Sequence, residues 1–234
     1  MRTSRTQSQT LFLVSALCAA VAACGGGDDD TPVTTPTPVT ATFAGCFELT
    51  PGVSYTQTDP DDNVSDRVLV VKETFEGVER TGVLDFSDLT DHRRSVSYWS
   101  QESNGIRFWG SQAFNLDGSV FYKSVSSDGA VLPLTLQAGQ AVTLDYTDTV
   151  TSGGQTTTKA EHEKWTFVGF ESLTLGGKVF ADACKVTIVD PTDPEDRPST
   201  AWFAKGFGVI RVTYTNHAGA PVEVVLDSVV KAQP

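Results

Sequence analysis

The feature that most constrains this chain is a period-2 alternation of apolar and polar residues, cut at short intervals by turn dipeptides. Val142, Leu144 and Tyr146 fall on one side of an extended chain, while Thr143, Asp145 and Thr147 fall on the other. Ile210, Val212 and Tyr214 alternate with Arg211 and Thr213. Val222, Val224 and Leu226 alternate with Glu223 and Asp227, and Cys184, Val186 and Ile188 with Lys185 and Thr187. Successive side chains of a strand point to opposite faces, so this is the pattern of half-buried antiparallel sheet. The turns are equally legible. Asn104-Gly105, Asp117-Gly118, Gly153-Gly154 and the Asn216 to Gly219 stretch supply the positive φ that tight hairpins need. The 30 Thr and 28 Val agree, since β-branched side chains suit a pleated surface.

Strands are predicted near 43–49, 67–75, 79–86, 94–101, 106–114, 119–125, 141–150, 163–170, 178–189, 207–215 and 222–230. No stretch of a dozen residues carries the i, i+3, i+4 spacing of a helix. Consecutive hairpins imply an all-β fold with little helix: a single antiparallel meander forming a strongly curved sheet, half-barrel or barrel. The predicted outward positions carry Lys164, Lys185, Arg211, Glu223 and Asp227, which do not suit the lipid-facing row of a membrane-spanning barrel.

The N-terminus reads as an address. Arg2 and Arg5 precede an apolar run from Leu11 to Ala23, too short to span a bilayer and arranged as a secretory signal. It ends in Val21-Ala22-Ala23-Cys24, which resembles the lipobox of bacterial lipoproteins. That resemblance implies a signal peptide over 1–23, removal just before Cys24, and acylation of Cys24 by diacylglycerol and a further fatty acid such as palmitate. It also implies sorting to the outer membrane, because Gly25 stands where an inner-membrane retention Asp would be. Two or three acyl chains anchor stably where one would be marginal. Residues 25–42 hold three Gly, three Asp, six Thr and three Pro, a composition that cannot pack and reads as a tether. The expected organisation is therefore 1–23 signal, 24–42 acylated Cys and tether, and 43–232 β domain.

The formal charge of −12 becomes −14 once Arg2 and Arg5 leave with the signal. Such an acidic chain is not built for nucleic acid, which demands a basic surface. Of four cysteines, Cys18 departs with the signal and Cys24 is acylated. Cys46 and Cys184 remain in a compartment that oxidises thiols, and a disulfide between them is expected.

Chemistry-bearing motifs are sparse. H-E-x-x-H, G-x-S-x-G and phosphate-binding loops do not occur, and His92, His162 and His217 lack metal-ligand spacing. The acidic stretches Asp59 to Ser65 and Asp190 to Asp196 read as solvated turns. No cofactor or metal is implied. The aromatic pairs Tyr98-Trp99, Phe108-Trp109 and Phe121-Tyr122 place large rings on both faces of the sheet. They are the candidate surface for an apolar chain or a sugar.

The C-terminal third carries Trp165-Thr-Phe-Val-Gly169-Phe-Glu171, then Gly177-Lys-Val-Phe180-Ala-Asp-Ala-Cys184-Lys-Val186, then Trp202-Phe-Ala-Lys-Gly206-Phe-Gly208. Over roughly 163–215 this resembles uncharacterised proteobacterial lipoproteins and periplasmic half-barrel modules shaped like lipoprotein carriers. The resemblance implies paired closing strands and no catalytic residue. In the carriers a curved sheet plugged by helices shelters acyl chains, and no plugging helix is predicted here.

The leading expectation is a membrane-anchored envelope lipoprotein acting as a non-enzymatic binding or structural module. Its partners would be the membrane, through the lipid anchor, and an apolar small molecule or an envelope protein. The alternatives are a half-barrel carrier or sensor for a lipid or other apolar ligand, and a hydrolase with a dispersed site. The concave side of the sheet discriminates: an apolar hollow favours a ligand, and a filled core favours a structural role.

Overall fold

A computed structural model describes residues 42–60, 64–87, 92–193, 196–216 and 218–231. The signal, Cys24 and most of the tether lie outside the described residues, as do parts of both acidic stretches and His217. A 3-10 turn at Phe43–Gly45 is followed by thirteen strands. These are β1 (Ser54–Asp59), β2 (Val64–Phe75), β3 (Val78–Ser87), β4 (His92–Gln101), β5 (Ile106–Phe114), β6 (Val120–Ser126), β7 (Val131–Leu132), β8 (Ala141–Ser152), β9 (Gln155–Leu175), β10 (Lys178–Val189), β11 (Ser199–Ala204), β12 (Gly208–Thr215) and β13 (Pro221–Lys231).

Every strand pair is antiparallel, and the order is almost wholly sequential. β1 pairs with both β2 and β13, and β4 with β5, so twelve strands close into an up-and-down barrel. The two-residue β7 pairs with the start of β5, beside β6. Closure removes the free edges that an open sheet of this length would expose.

Turn chemistry sets the register. Gly153 and Gly154, at φ 57° and 77°, make the β8–β9 turn and fix the facing pairs Val142 with Trp165 and Leu144 with Glu163. Strand β9 runs for 21 residues, because its polar start, Gln155 to Ala160, extends the β8 ladder as far as Gln155 opposite Ser152.

The predicted strand at 43–49 is corrected. That segment forms the 3-10 turn and then crosses one end of the barrel. The amides of Phe43 and Ala44 donate to the carbonyls of Leu136 and Leu134, and Gly206 donates to Glu48. The turn puts Phe43, Cys46 and Phe47 on one side, where all three are buried. Phe43 meets Phe167 and Phe203 edge-on at 5.6 and 5.7 Å. Cys46 is bonded to Cys184 of β10 across 138 residues, with Cα atoms 5.8 Å apart. The segment is the plug of the barrel, made of irregular chain instead of helix.

The core around the plug draws on Leu144, Trp165, Phe167, Val186, Ala201 and Phe203, from four strands that face inward. A second cluster lies where the β9–β10 hairpin, through Leu173 and Phe180, meets Phe207, Ile210 and Leu226. A third occupies the opposite face of β2–β4, with Phe75, Leu84, Val96 and Tyr98.

Candidate ligand-binding lumen

The plug leaves part of the barrel interior unfilled. A cavity of about 380 Å³ is bounded by Phe47 and Leu49 of the plug and by inward residues of β1–β4 and β11–β13. Tyr55, Val68, Val83, Val212 and Val224 make its wall apolar, and Gln57, Asp66, Asp85 and Ser97 add polar groups. A second cavity of about 210 Å³ is lined by Phe108, Leu144, Tyr146, Glu163 and Trp165. Trp99 lines both, so the two cavities meet at its indole. These volumes, small to moderate for ligand sites, suit a compact molecule more than a long lipid.

Asp66, Asp85, Ser95, His92 and Arg94 line a further hollow of about 370 Å³. Asp66 and Asp85 are common to this hollow and the large cavity, which marks a polar lip. Arg94 Nη1 donates to both carboxylate oxygens of Asp66, at 2.8 and 2.7 Å. Ser95 Oγ donates to Asp85 Oδ2 at 2.7 Å. Burial pushes the Asp85 carboxyl up to about 6; Asp66 adds to that push, while the Ser95 hydrogen bond and Arg94 oppose it.

The six aromatic residues singled out in the sequence divide between environments. Trp99 and Phe108 are cross-strand neighbours with ring centroids 4.8 Å apart, and both line the smaller cavity. Trp99 also packs on Phe47 of the plug at 5.5 Å and donates from Nε1 to Ser97 Oγ. Tyr98 and Trp109 belong to the opposite face. Tyr98 stacks on Phe75 at 4.2 Å, and its hydroxyl donates to Gln112 at 2.8 Å. Burial raises that phenol to about 12. Trp109 lies within 3.7 Å of the Arg80 guanidinium and 3.6 Å of the Arg107 guanidinium. Phe121 is exposed beside the lip, and Tyr122 is half-buried opposite Ala113 and Ser152.

In the smaller cavity Tyr146, Glu163 and Trp165 are not among the candidates that the sequence offers, and in the larger one neither are Asp66 and Asp85. Glu163 accepts from Tyr146 Oη at 3.1 Å and from Trp165 Nε1 at 2.8 Å. The signal was present, because the Gly153-Gly154 turn sets their register as soon as β9 is started at Gln155. Of the histidines, His162 bonds Asp145 at 2.6 Å in an exposed pair. Among the described residues no group of three His, Cys, Asp or Glu side chains is placed to hold a metal.

The barrel's outer face is charged where the sequence predicted. Lys185 pairs with Glu171, and Arg211 with Glu223. Both cations lie over Trp202, at 5.1 and 4.4 Å from the ring centroid.

No family model matches the chain, and no curated protein does. Among solved structures, the hypothetical lipoprotein YmcC from Escherichia coli K12 is similar at a TM-score of 0.43 and 12% identity, covering 79% of this chain and 86% of its own. A protein described as exported, with a YmcC-like fold, from Bacteroides fragilis gives 0.47 and 14%, over 82% and 100%. A protein described as a lipoprotein from Parabacteroides distasonis gives 0.35 and 13%, over 80% and 98%.

Proposed function

We propose that this protein is a lipid-anchored binding module of the bacterial outer membrane, whose barrel lumen takes a small amphipathic ligand. The observation that carries the reading is the cavity of about 380 Å³, apolar along its walls and polar at its lip. A barrel built only for shape would fill that space, since each unfilled methyl-sized void costs about 1 kcal/mol. The lumen carboxylates already have partners: Asp66 holds Arg94, Asp85 holds Ser95, and Glu163 holds Tyr146 and Trp165. That arrangement suits recognition better than proton transfer and favours a binding role over a hydrolase. The anchor is assigned to Cys24 on its lipobox.

Native mass spectrometry of the chain released from membranes tests the lumen. One small amphiphile per chain is expected, and it should be lost when Val83→Trp fills the cavity. An empty wild-type barrel would sink the proposal. Palmitate labelling that persists in Cys24→Ala would overturn the anchor assignment.

A further inference from the structure

The smaller cavity has a composition of its own. Four aromatic rings, those of Trp99, Phe108, Tyr146 and Trp165, line it together with one carboxylate, Glu163. Aromatic faces carry negative potential and attract cations within about 6 Å, above all weakly hydrated organic ones. Glu163 adds a full negative charge to that wall. Its two hydrogen-bond donors, a phenol and an indole, are neutral. Burial and the neighbouring Glu163 both push the Tyr146 phenol upward, so it stays a neutral donor. Among the described residues no Lys, Arg or His makes an ion pair with Glu163. On its own strand Lys159, which shares its face, pairs with Glu161, and the adjacent Lys164 points to the other face. An apolar aromatic pocket with an unneutralised carboxylate is complementary to a positive charge wrapped in methyl or methylene groups.

We propose that this cavity is an aromatic cage for an alkylated ammonium group, with Glu163 as its counter-charge. The inference rests on the lumen being a ligand site, and it names that ligand's polar end. The head group sits among the four rings, and the apolar remainder runs past Trp99, the residue common to both linings, towards the larger cavity. The acidic chain supports this choice of sign, because its field concentrates cations near the barrel and repels anions. A primary ammonium group would enter with a larger dehydration cost, which the apolar rings do not repay.

The test is calorimetric titration of the full acylated chain in nanodiscs, with choline and with its uncharged isostere 3,3-dimethyl-1-butanol. Choline is expected to bind with one site per chain and at least tenfold tighter than the alcohol. Glu163→Gln should weaken choline at least tenfold and leave the alcohol unchanged, while Glu76→Gln, at an exposed position, should change neither. Equal binding of choline and alcohol would overturn the cage and leave the lumen reading intact. So would the absence of choline binding from a chain that still co-purifies with an amphiphile. Absence of both probes together with an empty barrel would overturn both readings. Loss of choline binding in Glu76→Gln as well as Glu163→Gln would show a diffuse charge effect and overturn the cage.

Discussion

At the scale of single residues, Asp85 shows what the lumen costs. Its carboxyl sits on the inward face of β3, opposite Val68 on β2 and Ser95 on β4. Burial raises its titration to about 6, above the ordinary 3.8. A carboxyl raised on folding favours the native state when protonated. That contribution is fully present below pH 3.8 and is lost as the pH rises through 6. Wild type should therefore lose stability between pH 4 and 6 at this residue. Asp85→Asn removes the slope, and it should be about 3 kcal/mol more stable than wild type at pH 7.5 while matching it at pH 4. Thermal melts across that range decide the matter, since parallel curves for the two proteins would refute the assignment. Gly110 is a second position where one atom matters. It takes φ 129° beside a bulge in the β4–β5 pairing, and an added Cβ would collide with the carbonyl of Ser124. Gly110→Ala should cost about 2–4 kcal/mol in chemical denaturation, through strain and disrupted β5–β6 pairing.

At the scale of elements, the plug is where sequence and structure part. Phe43, Gly45 and Phe47 alternate, which is why 43–49 reads as a strand. The 3-10 turn instead brings Phe43 and Cys46 to one side, and the disulfide to Cys184 holds them against the core. Only the long-range partner distinguishes the two conformations, and local periodicity cannot carry that information. Strands β1 and β11 were missed for another reason. β1 reads Ser-Tyr-Thr-Gln-Thr-Asp, with Tyr55 as its sole large apolar residue. β11 has apolar residues on both faces, Phe203 inward and Trp202 outward beneath Lys185 and Arg211, so it shows no alternation. The hairpins, by contrast, were legible from their turn dipeptides. With them came two of the smaller cavity's four rings: Trp99 and Phe108 were visible as candidates, whereas Tyr146, Glu163 and Trp165 needed the β8–β9 register. The disulfide should dominate the stability of the plug. In the loop-entropy model, closing a loop of 138 residues is worth about 4–5 kcal/mol. Cys46→Ala with Cys184→Ala should lower the melting temperature by roughly 10 °C or more. A shift under about 2 °C would mean that the apolar contacts of Phe43 and Phe47 hold the plug unaided.

At the scale of the whole molecule, the barrel's surface and its proposed anchor divide the work of localisation. On the outer face Lys185 pairs with Glu171, Lys205 with Glu48 and Arg211 with Glu223. On the proposed cleavage before Cys24 the chain carries a net −14, which an anionic bilayer surface repels within a Debye length. Attraction to membranes must then come from acyl chains, at about 0.8 kcal/mol per buried methylene. This separates two causes of membrane association that fractionation alone confuses. The wild-type protein should sediment with membranes, stay there in 1 M salt and leave with detergent. Residues 25–234 exported behind a conventional signal peptide should stay in the soluble fraction and fail to bind anionic vesicles even at 10 mM salt. If that unacylated form still sediments and salt releases it, a surface patch of the barrel is the anchor and the role given to Cys24 fails. If it sediments and only detergent releases it, the exposed apolar side chains of the barrel, among them Val78, Val179 and Val230, are what the membrane holds.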